Sequence, residues 1–403
     1  MTRFLDRLPR GRRALAWAGV LVGIAAALVA LPPFGVRSPV VPIVIGLVAL
    51  TIGIGSAIRG ERRIGAYAIA AGIAGLAIGY LATRSSVDKL DAVVIWGALL
   101  ASTIRFAIPL LFAALGGLFS ERSGVVNIGL EGMMLMGSFF SVWGADVTGS
   151  WPLGILIGLA SGAALGLVHA VFCVSLRADQ IVVGTAINFL ALGITGYLFI
   201  RSYGERGTPS EGLSTVPDLS FDFLYDIPPD KLGGFLGDAF AGQDLLVWVA
   251  FALVIATWVA VFKTPSGLRL RSVCEHPRAA DTVGINVYLT RYAAVIISGI
   301  LASAGGVYLA LGFLNSFEPN QTAGRGFIAL AALIFGNWRP FGAAIACLLF
   351  GFSSALAKSL QEYSLSYSTL FEALPYVLTI IAVAGVIGRS TPPAAVGRPY
   401  VKQ

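Results

Sequence analysis

The chain has 403 residues, of which 57% are hydrophobic and only 12% charged. A soluble domain carries roughly 25% charged residues to keep its surface wet; this composition therefore excludes an ordinary water-soluble protein and makes lipid the main solvent. The formal charge of +7 fits membrane orientation better than nucleic-acid binding, because the basic residues sit beside apolar runs.

Crossing the hydrocarbon takes about 20 apolar residues. In chain order such runs fall at 14–32, 40–58, 64–82, 92–118, 127–148, 153–176, 181–200, 244–262, 290–312, 326–337, 342–358 and 370–388. They predict an all-α polytopic membrane protein with about 12 transmembrane segments. The run 326–337 is short and ends at Gly336-Asn337-Trp338-Arg339-Pro340, which predicts a half-helix or a broken one.

Arg3, Arg7, Arg10, Arg12 and Arg13 precede the first run, and no small-residue cleavage site follows, so no cleavable signal is read. With the N-terminus in the cytoplasm, most of the 28 Lys and Arg fall in cytoplasmic segments and most of the 21 acids outside. That bias predicts an N-in, C-in topology. Residues 1–89 read as a three-span extension, 90–390 as the core and 391–403 as a cytoplasmic tail. Within the core, 201–243 is rich in Pro, Gly and Asp (Asp218, Asp222, Asp226, Asp230, Asp238) and is expected outside; 263–289 is expected inside.

Polar residues within apolar runs are the candidates for function. Asn127 and Glu131 are four apart, so a helix through them would put both on one face. A carboxylate at membrane depth is costly unless paired or facing water. Gly124, Gly129 and Gly132 suggest an interrupted backbone there. Two readings stand: the pair lines a pathway, or Glu131 caps and packs a turn. Arg105, mid-run, is equally costly alone; an Arg105–Glu131 ion pair is expected, the other readings being a direct substrate contact or a misplaced run boundary that leaves Arg105 near water. Asn188 is a lone amide, placed for an interhelical hydrogen bond or a substrate contact. Arg325 begins the short run, either at the outer mouth of a pathway or as an interfacial anchor. Gly154, Gly158, Gly162 and Gly166 form a stripe of period four, which predicts close helix packing.

In the loop 263–289, the basic Gly267–Arg271 segment precedes a short helical stretch containing Ala279, Ala280 and Gly284. Such a stretch could dock in a groove on a soluble partner, or the loop could bind anionic headgroups. Cys173, Cys274 and Cys347 suggest no disulfide framework and read as packing residues. With only His169 and His276, no metal site is expected. No G-x-x-x-x-G-K-[ST], H-E-x-x-H or G-x-S-x-G occurs, so neither nucleotide hydrolysis nor other enzyme chemistry is expected in this chain.

Three blocks carry a resemblance. Residues 119–136, FSERSGVVNIGLEGMMLM, closely resemble the signature of ABC importer permeases of the simple-sugar, nucleoside and branched-chain amino-acid group, and look most like the nucleoside branch. Residues 267–284, GLRLRSVCEHPRAADTVG, resemble the coupling loop of importer permeases, whose core is E-A-A-x-x-x-G. Arg278 stands where that glutamate would be, followed by Ala279, Ala280 and Gly284; Glu275 could supply the charge. Residues 324–342 are similar to the family's later signature block.

The resemblance implies a multi-pass plasma-membrane importer subunit in a homo- or heterodimer of permeases. A cytoplasmic ATPase, holding ATP and magnesium, would engage Arg271, Glu275, Arg278, Ala279, Ala280 and Gly284. An extracytoplasmic binding protein, such as a lipoprotein, would deliver substrate, a nucleoside by this likeness or else a simple sugar. This chain would need no cofactor of its own. The contrasting expectation is an ion-coupled secondary transporter, which would want buried carboxylates and would leave the coupling-like loop without a purpose.

Overall fold

The computed structural model describes residues 12–30, 38, 40–58, 60–84, 96–204, 207–208, 212–227, 236–363 and 391–402. The expected span 370–388 and Asp230 lie outside the described residues. The chain divides into two compact units, one built on the described residues up to Trp96 with 359–363, the other on those from Gly97 to Lys358 with 391–402.

The first unit contains α1 (Arg12–Ala30), α2 (Val40–Ile58) and α3 (Arg62–Arg84). Small residues let these helices approach closely. A Cβ on Gly23 would stand 2.6 Å from the Ala71 backbone, and one on Gly65 2.7 Å from Ala57 N. In lipid, where apolar side chains gain little by leaving one solvent for another like it, such close van der Waals contact is what holds helices together.

The second unit begins with α4 (Trp96–Glu121), α5 (Leu130–Thr148) and α6 (Trp151–Ala170), the last running on as a π-helical turn, Val171–Ser175. Then come α7 (Gln180–Tyr203) and a loop whose strands β1 (Asp218–Ser220) and β2 (Gly242–Asp244) pair antiparallel. Next are α8 (Leu245–Lys263), α9 (Pro265–Glu275), α10 (Pro277–Thr282) and α11 (Val287–Val307), which ends in a second π segment, Tyr308–Phe313. α12 (Arg325–Phe335) and α13 (Pro340–Tyr363) follow. Side-chain caps start several of these helices: Asp179 accepts from Ile181 N and Val182 N, Asp244 from Leu246 N and Val247 N, Thr264 from Gly267 N, and Asn286 from Leu289 N.

Among the described residues, seven helices are long and apolar enough to cross a membrane, and Arg325–Phe335 is a shorter apolar helix. α4 and α11 are the most enclosed of the seven. Phe112 and Leu115 of α4, Met133 and Met134 of α5 and Tyr308 at the end of α11 are all essentially without solvent exposure.

The expected run 127–148 is corrected at its start. Helix α5 begins at Leu130, and residues 122–129 are turns and extended chain. Asn127 therefore stands before the helix, and the face-sharing expected of Asn127 and Glu131 does not occur. The cause is local: Gly124 is left-handed at φ +96° and breaks the helix after Glu121.

Candidate functional site

The break between α4 and α5 starts where α4 ends, beside α9. Cys274 Sγ donates to Glu121 O at 3.3 Å, and Arg122 donates twice to Trp338 O, at 3.1 and 2.8 Å. From there 125–129 climbs the bundle as irregular backbone. In hydrocarbon each of its unpaired N–H and C=O groups would cost several kcal/mol, so other helices must supply partners.

They do so with polar side chains. Gln180 Oε1 accepts from Val126 N at 2.7 Å, and His169 Nε2 donates to Val126 O at 3.0 Å. Asn188 brackets the start of α5, donating to Ile128 O at 3.0 Å and accepting from Gly132 N at 2.8 Å. Gln180 and Asn188 are eight residues apart on α7, about 12 Å along the axis and on one face. Asn127 Nδ2 donates to Ser298 Oγ on α11 at 2.9 Å. Its Oδ1, also buried, takes no hydrogen bond from any described group.

Glu131, in the first turn of α5, is 8% exposed. Its Oε1 accepts from Thr322 Oγ1 at 2.6 Å and from Gly324 N at 2.8 Å, and its Oε2 from Gly326 N at 2.6 Å. The carboxylate thus sits on the N-terminus of α12, where unpaired amides and the helix dipole favour an anion. Gly326 is small by necessity: an added Cβ would stand 2.5 Å from Glu131 N. α12 has 11 residues, about 16 Å and half the hydrocarbon thickness. It ends in the turn 336–339, which carries the Trp338 that Arg122 and Glu121 hold. Its start therefore lies well inside the bundle, as a half-helix would.

The expected Arg105–Glu131 pair is not formed. Arg105 is exposed on α4 and donates to Gly242 O at 2.8 Å and to Gln243 Oε1 at 3.4 Å, in strand β2. α4 carries it toward the 201–243 loop, whereas Glu131 is satisfied from Thr322, Gly324 and Gly326. Arg325 turns back on its own loop, donating to Gln321 O at 2.7 Å and Thr322 O at 3.1 Å.

The four stripe glycines face α5 and α11. A Cβ on Gly154 would stand 2.6 Å from Ser141 O, on Gly158 2.8 Å from Val307, and on Gly166 2.9 Å from Val295 O; on Gly162 it would collide with Ser303 and Gly299.

In the 263–289 loop, α9 and α10 form a short helical pair. Ala280 is buried with Val273, Val287 and Tyr400, while Glu275, Arg278 and Ala279 are exposed. Arg271 lies over the Phe262 ring at 5.3 Å. Gly284, left-handed at φ +86°, ends the pair with open space around it. Cys274 is buried, and loss of solvation pushes its thiol up to about 11.

Sequence reasoning passed over several of these groups. His169 and Gln180 were visible as polar residues in or beside apolar runs, but nothing local says that their partner is a broken backbone some 40–50 residues earlier. Arg291, 1% exposed, was hidden by its place at a span edge; it donates from Nε to Ser123 O at 3.1 Å and from Nη1 to Arg398 O at 3.1 Å.

With this geometry in place, the comparisons with known proteins are specific. The family described as branched-chain amino acid transport system / permease component matches residues 99–383. The guanosine ABC transporter permease protein NupQ of Bacillus subtilis is 44% identical over 78% of this chain and 99% of its own length. The nucleoside ABC transporter permease protein NupC of Lactococcus lactis is 40% identical over 75% and 96%. TsgC13 of Haloferax volcanii, a permease protein assigned to glucose only provisionally by its name, is 37% identical over 66% and 79%. No solved structure is significantly similar to the chain.

Proposed function

The chain belongs to the branched-chain amino acid transport system / permease component family, and from that premise we propose that it is the membrane-embedded subunit of an ATP-driven importer of nucleosides. The observation that carries this reading is the likeness to a guanosine permease, which extends over 99% of that relative. The chain moves substrate by alternating access, and ATP is hydrolysed on a cytoplasmic ATPase. A second permease subunit and an extracytoplasmic substrate-binding protein complete the assembly. About 12 segments cross the membrane, N-in and C-in. In support, 121–126, the α9–α10 pair, 336–339 and 391–402 share one end of the second unit, joined by bonds such as Ala395 N to Cys274 O at 2.9 Å. The described residues of the loop before β2 contact the other end, with Val216 N on Leu311 O.

Within this reading, Asn127, Glu131 and Asn188 build the broken helices of the pathway, and Arg105 and Arg325 serve nearer its outer mouth. Arg271, Glu275, Arg278, Ala279, Ala280 and Gly284 form the ATPase contact. The charge balance at α12 supports a neutral substrate. A half-helix N-terminus inside the membrane would attract a substrate carboxylate, but here Glu131 already accepts from Thr322, Gly324 and Gly326. A nucleoside, uncharged and rich in hydroxyl and amine donors, makes no demand on that site.

The test is uptake of a labelled nucleoside panel, with glucose alongside, by cells expressing the chain with its partner genes, with and without a Walker-A substitution in the ATPase. Saturable nucleoside uptake that disappears with the substitution is expected. Glucose uptake with the same dependence would keep the mechanism and replace the substrate. Uptake that survives the substitution and collapses with an ionophore would replace the mechanism by ion coupling.

A further inference from the structure

We propose that residues 391–402 form, together with α10, one composite surface on which the cytoplasmic ATPase docks, so that the C-terminal segment of the chain belongs to the coupling machinery. The inference rests on the importer reading above.

The segment is tied to α9, α10, α11 and the turns at 122–124 and 336–339. Thr391 N donates to Asn337 Oδ1 at 3.1 Å, Ala395 N to Cys274 O at 2.9 Å, and Gly397 N to Gly124 O at 3.1 Å. Arg398 O accepts from the buried Arg291, and Tyr400 O from Tyr288 at 3.4 Å. Tyr400 is 7% exposed, packs on the Tyr288 ring at 5.7 Å and joins Val273, Ala280 and Val287 in a small apolar cluster. Lys402 Nζ lies 3.8 Å from Asp281 Oδ1 on α10. Backbone bonds at Thr391, Ala395, Gly397, Arg398 and Tyr400, with a buried aromatic anchor, fix the segment far more firmly than surface ion pairs could.

Between the segment and α10 lies a cleft of about 600 Å³. His276, Arg278 and Ala279 line one wall, and Arg398, Pro399 and Val401 the other. The side chains of Arg278 and Arg398 are both exposed, and Glu275 is the acid that lines the same cleft. Two guanidinium groups flanking a cleft suit a partner edge that carries carboxylates, which each can hold in bidentate fashion. The occupant is therefore an acidic edge of the ATPase, received by both walls at once. The same attachment gives the contact a route inward. Whatever displaces α10 displaces Tyr400 and Gly397 with it, and Gly397 and Arg291 hold Gly124 and Ser123, the turn that opens the broken helix.

The decisive variant is Arg398→Glu. Arg291 binds the backbone oxygen of residue 398, so the substitution leaves the internal attachment intact while reversing one wall of the cleft. Deletion of 393–403 is the stronger lesion, and Arg278→Glu reverses the other wall. Each permease is purified with its ATPase, and ATPase retention is followed against salt beside melting temperature and nucleoside uptake. Expected is a weakening of ATPase binding by Arg398→Glu of about tenfold or more, with loss of uptake and an unchanged melting temperature. Wild-type retention and uptake in Arg398→Glu, while Arg278→Glu loses the ATPase, would overturn the composite surface and leave the importer reading standing. Retention unchanged in both would overturn the composite surface together with the coupling role of α10, and the Walker-A uptake assay then judges the importer reading by itself.

Discussion

Glu131 and Asn188 perform the same task in different ways: each replaces a hydrogen-bond partner that an irregular backbone has lost. Asn188→Leu strips Ile128 O and Gly132 N of their partners. At about 1–3 kcal/mol for each buried group left unpaired, the variant is expected to melt well below the parent in detergent, while Asn188→Gln recovers part of the loss. An unchanged melting temperature for Asn188→Leu would show that this bracket holds nothing. Glu131→Gln turns one acceptor oxygen into a donor facing backbone N–H. Charge-assisted bonds contribute about 1.5–3 kcal/mol each, so uptake should fall at least about tenfold with normal expression. Normal uptake would remove Glu131 from any role in the pathway. Cys274 offers a separate check. Its thiol titrates at about 11 because burial disfavours the thiolate, and it remains protonated as pH rises from 7 to 9. Maleimide should leave it unmodified over that range until the protein unfolds; labelling at pH 8 in the folded protein would contradict its burial. In the sequence, Asn127, Glu131 and Asn188 stood out as polar residues in apolar runs. Their partners did not, because Thr322 lies 191 residues from Glu131 and single-chain patterning carries no information at that range.

At the scale of helices, apolar runs translated well into elements, and the short run 326–337 is indeed the short helix α12. What patterning misplaced was the start of α5. Gly124, Gly129 and Gly132 pointed to an interruption, but the run 127–148 is continuous in hydropathy and hid where the helix begins; a left-handed glycine and a set of distant side chains outweigh local propensity over its first residues. The π segments Val171–Ser175 and Tyr308–Phe313 are equally silent in sequence, since one extra residue in a turn leaves hydropathy unchanged. The period-four glycine stripe of α6 was legible because close packing in lipid selects small residues directly. Gly162→Leu forces a side chain into Ser303 and the Gly299 carbonyl, and should cost about 3 kcal/mol or more. Gly193→Leu on α7, with nothing within 4 Å of its added Cβ, should be tolerated. Paired melting curves check the contrast, and equal loss at both sites would mean that the stripe is not a packing seam.

For the whole molecule, composition and charge placement were enough to identify a polytopic membrane protein, because both are global quantities set by the solvent. Residues 1–89 precede the family match, which begins at 99, and their three helices pack through their own small residues rather than through any motif that names a task. The arrangement around α9 and α10 was only half legible. Gly284 marked the end of that helical pair, but the attachment of 391–402 was not visible, since it uses mainly backbone groups, with one tyrosine and one lysine. Gly284→Asp should weaken ATPase coupling, because a φ of +86° strains a residue with a Cβ by about 1 kcal/mol. Full ATPase-dependent uptake by that variant would show that the turn is not needed for coupling.

The broken segment also dictates an order of biosynthesis. Residues 125–129 leave the ribosome well before His169, Gln180 and Asn188, and far ahead of Ser298. Until those later helices arrive, Val126 N, Val126 O and Ile128 O have no companions in lipid, so the nascent chain cannot release α5 into the bilayer as a finished span. It must be retained beside the insertion machinery, or held near the aqueous interface, while α6 and α7 are made. Nascent chains stalled before Asn188 has emerged should therefore leave α5 accessible to water, and chains stalled after α7 should enclose it.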